Sequence, residues 1–321
     1  MRPPLKLLHT ADLHLGAPFR GLGGGKGNLL RARLREVWEE IVRAARREGV
    51  HAVILAGDAF DGVQPSRESV SAFLRGADDL QQDNIPLILI AGTHDALHDG
   101  PLLKRLAEAM PDTIILLSPD RPVWDLPDGR ARFHGVSLLS SAQPERPLAE
   151  LRRDPDFPGW QVGIAHGSLE LGKTGANEAR MSPSEIGATG LDYLALGHWH
   201  RPRDCSRDGV TAWYAGPPEM IASDEEGAGV CLWVECTPEH GVRVEPETTG
   251  RRRAVAVTCE AGETGDLVEK IRLRGNPDAV LTLVLTGVRA DEAPPPAKEW
   301  ERLLAPYFFH VRVKDESVAA F

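Results

Sequence analysis

Five short motifs with Asp or His, each at or just after the end of a predicted β-strand, restrict the fold of this chain more than any other feature. In chain order they are Asp12-Leu13-His14, Gly57-Asp58-Ala59-Phe60-Asp61, Gly92-Thr93-His94-Asp95, His166-Gly167 and Gly197-His198-Trp199-His200. A sixth motif, Tyr214-Ala215-Gly216-Pro217, overlaps the end of a later predicted strand. Carboxylates and imidazoles that converge from several strand ends are suitable ligands for paired divalent cations. The motifs therefore predict a two-metal site built at strand ends.

Strands and helices alternate in the first part of the chain at the spacing of an α/β unit. Predicted strands cover 5–9, 50–55, 87–91 and 113–117, and predicted helices include about 66–81 and 101–109. Short strands dominate from about residue 120, at 131–138, 161–166, 192–197, 211–215, 229–235 and 241–247. This order predicts an α/β fold with two packed sheets and helices outside them.

A long amphipathic helix is predicted between the first two strands. Its apolar face consists of Leu30, Leu34, Val37, Trp38, Ile41 and Ala45, which recur at helical spacing. Many arginines occupy the other faces, and a solvated surface is favoured over a DNA-facing one. The Gly-rich stretch 21–27 before the helix predicts a flexible loop, because a P-loop would need Gly at 20 and Ser or Thr at 27, where Arg20 and Gly27 stand.

A new strand–helix pattern begins after the Thr-Gly-Arg-Arg-Arg segment at 249–253. Strands are predicted at 254–259, 279–285 and 308–314, and helices at about 264–273 and 297–304. We therefore expect a large domain of residues 1–249 and a small α+β domain of residues 250–321.

Charge and composition restrict the possible partners and location. The formal net charge of −10 is modest evidence against tight, non-specific DNA binding, although two bound cations would offset Asp12 and Asp58 locally. The four cysteines form no CxxC pair and are expected to be reduced thiols. No apolar run is long enough to span a membrane and no signal-peptide cleavage site follows the N-terminus, so a cytoplasmic location is expected.

Residue spacing predicts how individual side chains act. Asp12 and His14 are two residues apart, which places both on one face of an extended strand end, where they can bind one ion together. Asp58 follows an apolar strand and a Gly, and it is our candidate for a carboxylate shared by two ions, with a helix N-cap as the alternative. His198 and His200 repeat the two-residue spacing, and we expect them to bind different ions.

His94 and Asp61 are candidates for roles beside the ions. A His after a Gly turn at a strand end is placed to protonate a leaving oxygen or to stabilise transition-state charge. Asp61 could accept a hydrogen bond from the His94 ring and fix its tautomer, and an ordinary turn residue is the alternative. His166, at the end of the run Val162–Ala165, is a further strand-end imidazole.

These motifs resemble the calcineurin-like metallophosphoesterase superfamily, whose pattern is D-x-H, G-D-x-x-D, G-N-H, H and G-H-x-H. Thr10-Ala-Asp-Leu-His-Leu-Gly-Ala-Pro-Phe, Leu191-Asp-Tyr-Leu-Ala-Leu-Gly-His-Trp-His and Tyr214-Ala-Gly-Pro-Pro-Glu are similar to its DNA-repair exonuclease branch, with the SbcD and YhaO proteins. The resemblance covers about residues 5–235. It implies a four-layer α/β/β/α core, and for 250–321 a small capping domain that helps to hold DNA.

The resemblance also implies a ligand set and roles for each residue. The residues implied for the first metal are Asp12, His14, Asp58 and His200, and those for the second are Asp58, His166, His198 and Thr93. His94 would be the catalytic histidine with Asp61 as its partner, and manganese would be the ion. Thr93 stands where the family has Asn. Because its hydroxyl is one bond beyond Cβ, whereas the Asn carbonyl oxygen is two bonds beyond, we expect a looser second site.

The function implied by the resemblance is hydrolysis of DNA phosphodiester bonds by a hydroxide activated between two metals. One alternative, favoured by the acidic charge, is a phosphodiesterase for small or cyclic nucleotides. Another, suggested by Thr93, is a DNA-binding scaffold with a weakened metal site. The branch commonly binds an SbcC-like ATPase through C-terminal helices. No such helices are predicted before Phe321, so this partnership stays open, as does a homodimer.

Overall fold

The computed structural model describes residues 2–19, 22, 24–141, 146–170, 179–222, 227–260, 264–289 and 297–319. The chain divides into two compact units, the first formed by Met1–Glu219 and Val230–Thr249 and the second by Met220–Gly229 and Gly250–Phe321. The roles expected for residues 1–249 and 250–321 as nuclease and capping domains stay predictions.

The first unit contains most of the secondary structure. Its strands are β1 (Leu5–Thr10), β2 (Ala52–Leu55), β3 (Leu87–Leu89), β4 (Ile114–Leu116), β5 (Val123–Asp125), β6 (Ala131–Gly135), β7 (Trp160–His166), β8 (Ser168–Leu169), β9 (Arg180–Met181), β10 (Tyr193–Gly197), β11 (Arg203–Asp204), β12 (Thr211–Tyr214), β13 (Val230–Thr237) and β14 (Gly241–Thr248). Its helices are α1 (Gly24–Glu48), α2 (Arg67–Gln82), α3 (Leu102–Ala109) and α4 (Pro183–Thr189), with a short 3-10 helix at Pro147–Ala149.

Two six-stranded sheets form the centre of this unit. Their strand orders are β14-β13-β1-β2-β3-β4 and β11-β12-β10-β7-β6-β5. Strands β1 to β4 are parallel, as are β6, β7, β10 and β12. Apolar side chains from both sheets, such as Ile54, Ile88, Phe133 and Ile164, share one buried core. The predicted α/β fold with two packed sheets is thereby confirmed.

Helices cover apolar residues outside this core. Ile186 of α4 packs with Leu194 and Leu196 of β10 in a second buried cluster. On α1 the residues of the predicted apolar face are all buried, and Trp38 stacks on Phe73 of α2 with ring centroids 5.5 Å apart. The helical periodicity of α1 therefore identified its packing face correctly.

The first turn of α1 differs from our expectation. The helix begins at Gly24, within the stretch where we expected a flexible loop; Arg20, Gly21 and Gly23 lie outside the described residues.

Two arginines of α1 form ion pairs with other parts of the protein. Arg33 contacts Glu40 and the buried Glu219 at 2.7 and 3.0 Å, and Arg46 contacts Asp83 at 2.6 Å. Two of the arginines on α1 are therefore paired within the protein, and the solvated-surface interpretation of the others stays a prediction.

The elements of the second unit are β15 (Arg253–Glu260), α5 (Thr264–Arg272), β16 (Asn276–Thr286), β17 (Val288–Arg289), α6 (Ala297–Leu304), β18 (Phe308–Asp315) and β19 (Val318–Ala319). They form a parallel three-stranded sheet in the order β15-β16-β18 and a two-stranded pair of β17 and β19. Leu281, Leu283, Trp300 and Leu304 are the centre of its own buried cluster. The predicted strands and helices of this region are present.

Two simpler expectations concern membranes and thiols. Within the described ranges, no helix combines the length and apolar character that crossing a bilayer requires. The thiols of Cys205, Cys231 and Cys236 are free, as expected for reduced thiols.

Candidate metal centre

The predicted site residues follow the carboxyl ends of five strands. Asp12 and His14 come after β1, Asp58 after β2 and His94 after β3, all in the first sheet. His166 is the last residue of β7, and His198 follows β10 in the second sheet. Carboxyl ends of parallel strands meet at one edge of a sheet, where α/β proteins commonly bind their ligands.

The ligand atoms of these side chains form three close groups. In each group the candidate atoms lie within 4.8 Å of one another, and the groups are Asp12, His14 and His200; Asp12, Asp58 and His166; and His14, Asp58 and His94. Asp12, His14 and Asp58 each belong to two groups, so the groups adjoin. The structure thus brings six predicted site residues together.

His198 contacts this centre through its backbone N–H and through the His166 ring. Its backbone N–H lies 3.1 Å from both carboxylate oxygens of Asp12, to which it donates a hydrogen bond. Its ring meets the His166 ring edge to face, with centroids 5.2 Å apart. Thr93 is half-buried between Gly92 and His94. Binding of an ion by His198 and by Thr93 stays a prediction.

Four site residues have backbone conformations that non-glycine residues rarely adopt. The φ angles are 53° at Asp12, 42° at His14, 52° at Asp58 and 102° at His198. Such conformations cost about 1–3 kcal/mol each and persist where the surrounding structure holds them. Their coincidence with predicted ligands indicates that the fold imposes strain in order to place these side chains.

Gly92 allows the loop after β3 to approach Asp58. A Cβ atom at this position would overlap the Asp58 carboxylate. The next turn of the loop then brings the His94 backbone N–H to 2.8 Å from Oδ1 of Asp58, to which it donates a hydrogen bond. The Gly in this motif is therefore required by a close approach of two loops.

Two imidazoles point an unbonded nitrogen at Asp58. His166 donates from Nδ1 to the carbonyl oxygen of Ala56 at 2.9 Å, and His14 Nδ1 lies 3.1 Å from Oδ1 of Asp61. Their Nε2 atoms lie 3.3 and 3.6 Å from Oδ2 of Asp58, are buried, and have no hydrogen-bond partner among the described residues. A ring held through one nitrogen, with the other free beside a carboxylate, suits a metal ligand.

Electrostatics also favour positive charge in this pocket. Burial alone would lower the pKa of His14, but the hydrogen bond to Asp61 and the charges of Asp58 and Asp12 raise it to about 9. Burial is likewise overcome at His166, where Asp58 and Asp12 raise the pKa to about 9. The pKa of Asp58 is lowered by His166 and His14 in spite of its burial. A divalent cation would satisfy the same carboxylates and displace the protons.

The partner of Asp61 differs from our expectation. Its carboxylate lies 3.1 Å from Nδ1 of His14 but 4.0 Å from Nδ1 of His94. The His94 ring instead has the backbone carbonyl oxygen of Asp61 at 3.2 Å from Nδ1. Asp61 therefore orients a predicted metal ligand, and His94, with 46% of its side chain exposed, faces the open side of the site.

Asp95 is a site residue that we did not assign from the sequence. It is buried, and its carboxylate accepts hydrogen bonds from the backbone N–H of Gly92 at 2.8 Å and of Phe60 at 3.3 Å. Burial and the nearby Asp58 charge raise its pKa to about 7. Asp95 thus ties the loop after β3 to the loop after β2. The only signal in the sequence was its place at the end of the Gly92-Thr93-His94 motif.

Residues 5–202 match the calcineurin-like phosphoesterase family. The chain belongs to this family. Calcineurin-like phosphoesterases use two divalent metals, and the grouped carboxylates and imidazoles are candidate ligands for them. The predicted superfamily, its fold and a metal-dependent phosphoesterase activity are thereby confirmed.

This phosphoesterase is similar to three curated relatives that point to the predicted branch. The uncharacterised metallophosphoesterase YhaO of Bacillus subtilis is 28% identical over 92% of this chain and 75% of that protein. The DNA double-strand break repair protein Mre11 of Methanopyrus kandleri is 26% identical over 70% of this chain and 52% of that protein. The SbcD component of the SbcCD nuclease of B. subtilis is 27% identical over 70% of this chain and 64% of that protein. The chain therefore spans only part of each relative.

Proposed function

We propose that this calcineurin-like phosphoesterase hydrolyses phosphodiester bonds of DNA at a site for two divalent cations, with manganese as the ion. The observation that supports it most is the buried carboxylate of Asp58, to which the Nε2 atoms of His14 and His166 are directed. An oxygen anion between two ring nitrogens without hydrogen-bond partners among the described residues is a suitable bridge for two ions.

The remaining ligands are proposed from the family resemblance, and Asp12, His14, His166 and His200 also lie in the close groups that adjoin Asp58. Asp12, His14 and His200 would complete the first site, and His166, His198 and Thr93 the second. When bound, two divalent ions offset the charge of the phosphate and lower the pKa of a water molecule. The chain itself needs no nucleophilic side chain.

His94 is the residue we propose for proton transfer. Its Nδ1 is directed to the carbonyl oxygen of Asp61 at 3.2 Å, which leaves Nε2 for the substrate. When the ring is protonated, Nε2–H can be donated to the oxygen that leaves phosphorus. The exposure of the ring is consistent with contact to a large substrate such as a DNA end.

DNA as substrate is proposed from the relatives, because one is named as a DNA double-strand break repair protein and another as part of a nuclease. We also propose that residues 250–321 help to hold the DNA.

Small or cyclic phosphodiesters are the second candidate substrates, since the net charge of −10 does not favour binding to a polyanion.

Cleavage assays with manganese distinguish the two substrate classes. Labelled DNA and a simple bis-aryl phosphodiester are incubated with the full chain, with and without the metal. We expect manganese-dependent cleavage of both, with DNA cleavage that falls steeply as salt concentration rises. Turnover of the small ester alone would favour the second candidate, and absence of any turnover would contradict phosphodiester hydrolysis.

Two histidines of the same loop provide the matched variants. His94→Ala should abolish most of the cleavage. His98→Ala removes an exposed ring four residues away, to which no role is assigned, and should leave cleavage unchanged. Equal loss in both variants would indicate damage to the loop rather than loss of a proton donor.

A further inference from the structure

Trp199 lies between the predicted ligands His198 and His200. One aromatic contact and one cationic contact hold its side chain. Its indole stacks on the ring of Tyr214, with centroids 4.8 Å apart and planes 15° apart. The guanidinium carbon of Arg203 lies over the indole at 5.1 Å from its centroid. Stacking of this kind fixes the orientation of a large side chain.

The stacked pair also reaches the turn that follows His166. Tyr214, which is fully buried, donates from its hydroxyl to the carbonyl oxygen of Gly167 at 2.8 Å. Trp199 donates from Nε1 to the hydroxyl oxygen of Ser168 at 3.4 Å, a longer contact. Both rings are therefore bonded to residues directly after a predicted metal ligand.

Trp199 and Tyr214 consequently connect the two histidine turns of the second sheet. One turn carries His166 and the other carries His198, whose rings lie edge to face with centroids 5.2 Å apart. The φ angle of 102° at His198 is strained and needs support from its surroundings. Because Tyr214 is buried, its contacts with Trp199 and Gly167 act within the protein.

We propose that Trp199 and Tyr214 are positioning residues that set the separation of His166 and His198, and through it the affinity of the second cation site. The proposal rests on the proposed two-metal function. It predicts unequal effects on the two sites. Both imidazoles of the second site lie on turns that the pair connects, whereas the first site takes only His200 from them.

Calorimetric titration of the full chain with manganese alone tests this inference. We expect wild-type protein to bind two ions. Trp199→Leu should weaken the second site at least about tenfold, the lower range for residues that orient metal ligands, and change the first site much less. Trp199→Phe keeps an aromatic stack and should restore most of the affinity, and Tyr214→Phe, which removes one hydroxyl, should weaken only the second site.

Trp124→Leu is the matched control. Trp124 is also half-buried against an aromatic ring, that of Phe133 at 6.2 Å, but it lies on an edge strand away from the histidine turns. It should lower thermal stability and leave both affinities unchanged.

The outcomes separate this inference from the proposed function. Wild-type protein that binds fewer than two ions would refute the two-metal function and this inference with it. Two ions in wild type with an unchanged second site in folded Trp199→Leu would overturn the positioning role alone. If that variant does not fold, Tyr214→Phe decides: an unchanged second-site affinity overturns the inference, and a weakened one supports it.

Discussion

The carboxylate of Asp61 lies 3.1 Å from Nδ1 of His14 and so fixes which nitrogen of that ring faces the centre of the site. The other nitrogen, Nε2, lies 3.6 Å from Oδ2 of Asp58. A carboxylate behind a ligating histidine raises the basicity of the ring and restricts its rotation. Asp61 therefore orients His14, which we propose as a ligand of the first metal site.

Removal of this support should weaken metal binding. Asp61→Ala is expected to lower manganese affinity by about 10–100-fold, because His14 loses both its orientation and a neighbouring negative charge. Calorimetric titration measures the effect. Asp99→Ala is a suitable control, since that carboxylate contacts Ser141 instead. Wild-type affinity in Asp61→Ala would show that His14 is held by other contacts.

The departure at Thr93 predicts a gain of function. Thr93→Asn should bind the second ion more tightly, by roughly tenfold, because the amide oxygen extends one bond further than the hydroxyl. Thr93→Val, which removes the hydroxyl at constant shape, should bind it less tightly than wild type. Manganese titration and turnover measured together test both variants. No gain in affinity or rate with Asn would contradict a looser second site.

His94 is expected to contribute to the rate of reaction and not to metal retention. His94→Gln should lower turnover of a phosphodiester by about 10²–10⁴-fold, the usual contribution of a general acid. Metal content of the purified variant should remain two ions per chain. Because His94 also lies within reach of His14 and Asp58, loss of one ion would instead identify it as a ligand.

Features of the fold that depend on nearby residues were the ones that the sequence predicted best. The apolar face of α1 was predicted because helical periodicity reports burial directly. The flexible loop expected at 21–27 was wrong from Gly24 onward, since Gly24 and its neighbours are poor helix formers whose placement depends on tertiary contacts. The position of β13 beside β1 could not be predicted, because pairing across more than two hundred residues leaves no local signal.

For the site, the sequence indicated which residues converge but not which side chains contact each other. Strand-end motifs indicated which side chains converge, and the structure brings most of them together. Spacing along the chain did not show which ring would meet the Asp61 carboxylate, because His14 and His94 approach it from different strands. Asp95 was missed because its partners are backbone N–H groups of Gly92 and Phe60, which carry no residue-specific pattern.

His9 predicts a pH dependence of stability that is separate from the metal ligands. It is fully buried beside the Tyr193 hydroxyl at 2.7 Å, and burial lowers its pKa to about 3. The unfolded chain binds a proton at His9 below the ordinary histidine pKa of 6.5, whereas the folded protein does not until about 3. The contribution of neutral His9 to the free energy of unfolding is therefore complete above pH 6.5. It is lost as the pH falls from 6.5 to about 3.

Urea denaturation at two pH values measures this effect. Between about pH 7 and 5, wild-type protein should lose about 2 kcal/mol more stability than His9→Gln, which cannot take up the proton. The comparison with the variant removes the contribution of carboxylates that titrate in the same range. Parallel loss in both proteins would show that the His9 pKa is not lowered in the folded state.

The most direct test of the two-metal account is anomalous diffraction from crystals grown with manganese. We predict two peaks in the anomalous difference map, both within coordination distance of the Asp58 carboxylate, one beside His14 and the other beside His166. A map without a peak at this position, or with a single ion to which Asp58 and both histidines bind, would contradict it.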